Sequence, residues 1–169
     1  MTGTLRSANW VIRRAMETWA NTMTSTLSAK DTKEKAPQGY ILLEDIAKAQ
    51  EKAKASKKLI AVIAKGADDN CPHCAAAFSV SNTTLRNDCV MVFTRSEGLR
   101  DRTTSLSEAA KKGLSGVPTG AWVEAVVFDP DMSTVVAKLG RHALENDKKA
   151  VAEMKKAVSA ARKTLAEAK

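Results

Sequence analysis

The sequence predicts an α/β protein in which a β-sheet is flanked by helices. Short, continuous apolar runs rich in β-branched residues, such as 59–64, alternate with longer segments of helical periodicity. The 169-residue chain is also rich in alanine, with 28 copies, and poor in aromatic side chains, with three Trp, one Tyr and three Phe. Alanine favours helix, so an all-β sandwich or barrel is not expected.

The charge and hydropathy patterns exclude several classes of protein. The net charge of +8 is spread along the chain, and most lysines alternate with acids or alanines, which indicates solvated helical faces. No nucleic-acid-binding signature accompanies the charge, so we expect no nucleic-acid partner.

No apolar run approaches the roughly 18 residues of a transmembrane helix. Arg13 and Arg14 interrupt the most apolar part of the first 30 residues, so no signal peptide is evident. The localisation stays open, and an organellar, periplasmic or secretory compartment is compatible with the sequence.

The chain divides into an N-terminal arm over residues 1–36 and a domain over 37–169. In the arm, apolar residues at steps of three and four predict an amphipathic helix over 5–27, which a polar linker follows. Two roles stay open for this helix. Its Arg, Ser and Thr content is typical of a targeting segment, whereas its apolar stripe also suits docking on the domain or on a protein partner.

The elements of the domain follow in order from Tyr40. The first half is expected to hold a strand, a helix, a buried strand and a second helix, at 40–43, 44–58, 59–64 and 71 to about 86. A second buried strand, a polar loop and a short helix follow, at 89–94, 95–104 and 105–112. The chain then closes with two hairpin strands and one long amphipathic helix, at 122–128, 134–139 and 143–168.

The motif Cys71-Pro72-His73-Cys74 carries the chemistry that the sequence suggests. It follows a buried strand and begins a helix, where Pro72 suits the first turn because no N–H is needed there. The helix N-terminus favours an anion, so Cys71 is the expected nucleophilic thiolate and Cys74 the thiol that resolves a mixed disulfide. His73 is expected to stabilise the Cys71 thiolate and thereby to raise the reduction potential.

Other interpretations of the cysteines are weaker. A c-type haem needs His directly after the second cysteine, where this chain has Ala75. A zinc site needs four ligands, and only Cys89, His142 or an acid could complete it, so we expect no metal and no cofactor. Cys89 lies in an apolar strand and is interpreted as a small buried hydrophobe. The aspartates at 68–69 would raise the pKa of Cys71 if they pointed at its sulfur.

A second candidate element is Val117-Pro118, which precedes the strand predicted at 122–128. We expect a cis bond there. Such a bond would turn the chain beside the cysteine pair and expose the Val117 backbone to an extended substrate. The alternative is an ordinary trans proline at the start of a strand.

Residues 40 to about 165 resemble a thioredoxin-fold domain. The likeness is carried by Lys58–Ile63 before the cysteine motif and by Gly116–Thr119 after it. Phe128–Asp131 and Leu139–Arg141 resemble the anterior-gradient and bacterial thioredoxin-like branch, and the Cys-Pro-His-Cys motif is similar to that of the bacterial periplasmic disulfide oxidant. The resemblance implies a central mixed sheet flanked by helices and disulfide exchange with protein thiols and disulfides.

The chain departs from thioredoxins at two places. Asn70 stands where a Trp usually precedes the first cysteine, and 59–64 lacks the buried acid that assists deprotonation of the second. An oxidase or isomerase role is therefore favoured over a reductase role. The alternative function is a non-catalytic thioredoxin-fold subunit of a larger assembly. Deletion of residues 1–36 would then abolish partner binding, whereas an enzyme would retain most of its exchange activity.

Overall fold

The computed structural model of the chain describes residues 35–167. The amphipathic helix predicted over 5–27 lies outside the described residues, as do most of the N-terminal arm and the last two residues of the chain. Residues 35–167 form a mixed α/β structure with a five-stranded sheet. The predicted α/β class is confirmed at this level.

The secondary structure follows the predicted order with a few changes. The strands are β1 (Ile41–Leu42), β2 (Leu59–Lys65), β3 (Cys89–Arg95), β4 (Val123–Phe128) and β5 (Val135–Gly140). The helices are α1 (Ile46–Ser56), α2 (Pro72–Leu85), α3 (Leu99–Arg102), α4 (Glu108–Leu114), α5 (Arg141–Asn146) and α6 (Lys148–Glu167), and a 3-10 turn at Leu43–Asp45 precedes α1. In the part of the chain that the structure describes, no helix has the length and apolar character needed to cross a membrane.

The sheet has the strand order β1-β3-β2-β4-β5. Strands β1, β3 and β2 are parallel, whereas β4 runs antiparallel to β2 and forms a hairpin with β5. The central strand β2 pairs with β3 from Leu59 opposite Cys89 to Lys65 opposite Arg95. Because neighbouring strands and helices cover β2 on all sides, its first six residues are all buried.

The sheet separates two apolar clusters, since successive side chains on a strand point to opposite faces. On one face, Leu59, Ala61 and Ile63 pack with residues of α2, α5 and α6, and both motif cysteines belong to this cluster. On the other face, Ile60, Val62 and Ala64 pack with residues of α1, α3 and α4. The cysteine pair therefore lies on the face that α5 and α6 cover.

The long helix predicted over 143–168 is two helices, α5 and α6. Asp147 interrupts the helical backbone with φ −109° and ψ 86°. Its carboxylate Oδ1 accepts a hydrogen bond from the Ala150 N–H at 2.9 Å, which makes it the N-cap of α6. The polar loop predicted over 95–104 also contains the short helix α3, in which Leu99 is buried.

The predicted cis bond at Val117–Pro118 is wrong. No peptide bond among residues 35–167 is cis, so this one is trans, the form that an X–Pro bond intrinsically favours. The chain turns instead at Gly116 and Gly120, whose φ angles of +71° and +80° lie in the left-handed region that glycine adopts without a steric penalty.

Candidate functional site

The cysteine motif forms the first turn of α2. Cys71 is the N-cap residue, with an extended backbone at φ −73° and ψ 109°, and Pro72 occupies the first helical position. The Cys74 N–H donates a hydrogen bond to Cys71 Sγ at 3.1 Å. The sulfur thus takes the acceptor position that a Ser, Thr or Asp oxygen usually occupies at a helix N-terminus. This local structure favours negative charge on Cys71.

The two thiols of the motif have opposite environments. Both are free, and Cys71 is 9% exposed whereas Cys74 is 1% exposed. A hydrogen bond from the Cys74 thiol, supported by the Cys74 N–H, lowers the pKa of Cys71 against the opposing effect of burial. Burial is the main cause that raises the pKa of Cys74. The pair therefore consists of an outer thiol disposed to ionise and an inner thiol that keeps its proton.

Arg141 is a third member of the site, at the start of α5. Its guanidinium lowers the pKa of both cysteines. One guanidinium nitrogen donates to the Ala121 carbonyl at 2.7 Å, and the guanidinium carbon lies 5.4 Å from the Trp122 ring centroid. A second guanidinium nitrogen lies 3.4 Å from His142 Nε2, and the Nε–H is buried without a hydrogen-bond partner among residues 35–167. A Cys71 thiolate would supply a negatively charged acceptor for this half-buried guanidinium.

No local sequence pattern marks Arg141 as a site residue, although the topology of the sheet offers a signal for it. Strand β5 ends at Gly140, which pairs with Glu124 near the start of β4, and Val123 of β4 pairs with Lys65 at the end of β2. The residue after β5 therefore lies at the same edge of the sheet as the motif that follows β2. A basic residue at that position is a candidate neighbour of the thiols.

The two aspartates before the motif differ in their effect on Cys71. Both Asp69 oxygens accept hydrogen bonds from the Arg95 guanidinium at 2.9 Å, and Oδ1 also accepts one from Lys65 at 2.6 Å. These bonds hold the pKa of Asp69 well below its usual range. The charge of Asp68 raises the pKa of Cys71. The expectation that the aspartates oppose ionisation of the thiol thus applies to Asp68.

His73 lies on the outer side of the first turn. Its Nδ1 pairs with Oε1 of Glu145 on α5, and its side chain is 66% exposed. This contact joins α2 to α5, a link that the sequence analysis did not foresee. The tuning role of His73 stays a prediction, because the cation that lowers the pKa of Cys71 is Arg141.

Two loops meet beside the motif. The Gly66 N–H donates to the Trp122 carbonyl at 2.9 Å, and a Cβ added to Gly66 would lie 1.5 Å from the Gly120 carbonyl oxygen. Glu97 Oε1 accepts hydrogen bonds from the Ala67 and Gly120 N–H groups, each at 3.0 Å. These contacts fix the segment before the motif to the segment that leads to Trp122, and so to Arg141.

Val117 and Cys89 lie apart from this arrangement, whereas His142 is next to Arg141. Val117 packs against the apolar cluster on the face of the sheet opposite to the motif cysteines, and it lines a cavity of about 660 Å³ there. The substrate-binding role of Val117 and Pro118 therefore stays a prediction. Cys89 is buried, and burial raises its pKa to about 12, which keeps it protonated. His142 packs edge-on against Trp122. Within residues 35–167, no group of three or more His, Cys, Asp or Glu side chains could hold a metal ion.

No family model matches this chain, and neither a curated protein nor a solved structure was found to match it.

Proposed function

We propose that the protein is a thiol–disulfide oxidoreductase of thioredoxin type, which exchanges disulfides with protein substrates through Cys71 and Cys74. The observation that carries the proposal is the asymmetry of the two thiols. Interactions with Cys74 and Arg141 lower the pKa of the outer thiol, and burial raises that of the inner one. Such an arrangement suits attack by Cys71 and resolution by Cys74.

The fold supports the thioredoxin assignment. The cysteine motif opens the helix that follows the central strand β2, and an antiparallel hairpin follows the parallel part of the sheet. A CxxC motif near a βαβ unit is typical of thioredoxin-like redox proteins. The trans bond at Val117–Pro118 departs from the cis proline that we associate with that fold.

A single turnover needs only the two thiols and the substrate. In the reductive direction, the Cys71 thiolate attacks one sulfur of a substrate disulfide, a mixed disulfide forms and one substrate thiolate leaves. Cys74 then gives up its proton and attacks the Cys71 sulfur, which releases the second substrate thiolate and leaves a Cys71–Cys74 disulfide. Two electrons pass to the substrate, and an external thiol must return them. The reverse sequence oxidises a substrate dithiol.

Arg141 supports the oxidising direction. A cation near Cys71 stabilises the thiolate, and stabilising the reduced pair raises its reduction potential. Strand β2 holds apolar side chains at 59–64, so no carboxylate from that strand assists removal of the Cys74 proton. Both features favour an oxidase or isomerase over a reductase.

The proposal is tested by equilibrating the protein in graded glutathione buffers and counting free thiols by mass. We expect a reversible Cys71–Cys74 disulfide with a potential between roughly −120 and −230 mV, the range of known oxidases, isomerases and glutaredoxins. Cys71→Ser should abolish disulfide exchange, Cys74→Ser should accumulate mixed disulfides, and Cys89→Ala serves as the control that keeps the motif intact. Full exchange activity in both motif variants would refute the proposal.

A further inference from the structure

A separate cavity lies at the end of the sheet opposite Cys71. Strand β1 pairs only with Val92 and Phe93, so the outer edge of β3 at Cys89–Met91 is not covered by a neighbouring strand. Segment 38–40, α1 and the last part of α2 surround this gap and enclose a cavity of about 260 Å³. The short first strand is therefore the reason that the cavity exists.

The lining of this cavity carries cations and no acids. Lys52, Lys58 and Arg86 contribute to it, together with the polar side chains of Gln38, Ser56 and Asn82. None of the three cations forms an ion pair within residues 35–167, whereas nearby Lys54 pairs with Asp131. Asp88, the acid next to the cavity, is already bound to Arg162 at 2.6 Å. A recess lined by one sign of charge concentrates ions of the opposite sign.

One lining residue of the cavity, Tyr40, has an unsatisfied hydroxyl. This hydroxyl is buried with no hydrogen-bond partner among residues 35–167. Burial raises the pKa of Tyr40 to about 12, while the positive charge of Arg86 acts in the opposite direction. The positive charge of Lys58 likewise opposes the rise in the pKa of Cys89, another lining residue. Arg86, Lys58 and Tyr40 therefore line the same cavity, and a buried hydroxyl without a partner calls for one.

We propose that this cavity binds a small tetrahedral oxyanion of the phosphate type. Arg86 and Lys58 would neutralise its charge, and the Tyr40 hydroxyl would donate a hydrogen bond to one of its oxygens. The volume lies below the usual range for organic ligands, about 300–1,000 Å³, which favours an ion over a larger molecule. Three cations exceed what a single carboxylate would need. The proposal is independent of the redox chemistry at Cys71.

Tyr40 provides the readout, because it is the single tyrosine of the chain. Full-length protein with isotope-labelled tyrosine is titrated with inorganic phosphate against sodium chloride at constant ionic strength, and the ring resonances are followed by NMR. We expect a saturable shift. Arg86→Gln should weaken the affinity about tenfold, the usual effect of losing a charge-assisted hydrogen bond. Arg100→Gln is the matched control, since Arg100 is also exposed and does not line this cavity.

Three results would overturn the proposal. These are a linear shift without saturation, an unchanged affinity in Arg86→Gln, or an equal loss in Arg100→Gln, which would indicate a general effect of net charge. Because Arg86 is exposed, its replacement should leave the fold intact. The ring resonances of Tyr40, which stacks on Phe78 at 5.4 Å between centroids, report directly whether that packing survives in each variant.

Discussion

Some neighbours of Cys71 lower the pKa of its thiol and others raise it. The Cys74 thiol and N–H and the Arg141 guanidinium favour the thiolate, whereas burial and the charge of Asp68 favour the thiol. The pKa of Cys71 is therefore the balance of individual side chains that can be changed one at a time. Substitutions on the two sides of this balance should act in opposite directions.

Replacing Arg141 by Gln should raise the pKa of Cys71, because the guanidinium that hydrogen-bonds to the thiolate is lost. The rate of alkylation by iodoacetamide, followed against pH with the modified cysteine identified by mass, measures this change. Arg141→Lys should restore part of the effect, since it keeps the charge but not the planar guanidinium. An unchanged pH profile in Arg141→Gln would contradict the role assigned to this residue.

Asp68→Asn should move the same alkylation profile to lower pH, because the carboxylate that opposes ionisation is removed. Asp69→Asn is the matched control, since Arg95 and Lys65 already neutralise its carboxylate. If both variants shift the profile equally, the distinction between the two aspartates is wrong.

At the scale of elements, the site depends on the close approach of two loops at Gly66. Gly66→Ala would place a Cβ 1.5 Å from the Gly120 carbonyl oxygen, so the backbone must move. We expect a loss of about 3 kcal/mol or more in the free energy of unfolding. Gly98→Ala, which meets no atom within 4 Å but has a φ of +70°, should cost about 1 kcal/mol. Urea unfolding compares the two, and equal losses would show that the close approach at Gly66 costs no more than a strained φ angle.

The break between α5 and α6 depends on one side chain. Asp147→Ala removes the carboxylate that caps the Ala150 N–H and should lower the unfolding free energy by about 1 kcal/mol. Asp147→Ser should restore most of the loss, because a hydroxyl caps equally well. Thermal denaturation distinguishes the variants, and a stability of Asp147→Ala equal to that of the unmodified chain would show that the cap is dispensable.

The parts of the fold that depend on local pattern could be predicted from the sequence. The apolar run at Leu59–Ala64 identifies β2, and Pro72 identifies the start of α2. The break at Asp147 is hidden in the sequence because the apolar stripe continues across it, whereas the capping bond depends on the backbone conformation. The trans bond at Pro118 is equally hidden, because a cis proline and two glycines at positive φ can both turn the chain, and here Gly116 and Gly120 do so.

The site could be predicted only where it is contiguous in sequence. The cysteine motif shows its chemistry directly, but Arg141 approaches it only through the pairing of β4 with both β2 and β5. Glu145 and Glu97 likewise act through contacts between segments far apart in the chain. Such contacts follow from the assembled sheet and leave no local pattern.

At the scale of the whole molecule, the Cys89 thiol and the Tyr40 hydroxyl should make the protein less stable at alkaline pH. Burial raises the pKa of both Cys89 and Tyr40 to about 12. In the unfolded chain the pKa is about 8.5 for a cysteine and about 10 for a tyrosine. Their contribution to the free energy of unfolding is thus complete below these unfolded values and is lost as pH rises toward the folded-state pKa values. The loss is at most about 1.4 kcal/mol per pH unit for Cys89, and it is smaller for the half-buried Tyr40, because solvent screens it.

Urea unfolding of the reduced protein at several pH values measures this dependence. Cys89→Ala should be less stable at neutral pH because it leaves a cavity, yet its stability should fall less steeply above about pH 9. The slope, rather than the absolute stability, reports the titration. A slope identical to that of the unmodified chain would mean that Cys89 ionises equally easily in both states.

The central position of β2 also has a consequence for how the chain is made. One edge of β2 pairs with β3, about 30 residues later, but the other pairs with β4, where Ile60 lies opposite Phe128. During synthesis from the N-terminus, the apolar strand Leu59–Ala64 therefore keeps an open edge until residue 128 has left the ribosome. An uncovered apolar strand edge invites pairing with other chains. Ribosome-bound chains that stop before β4 should accordingly aggregate, and those that include it should not.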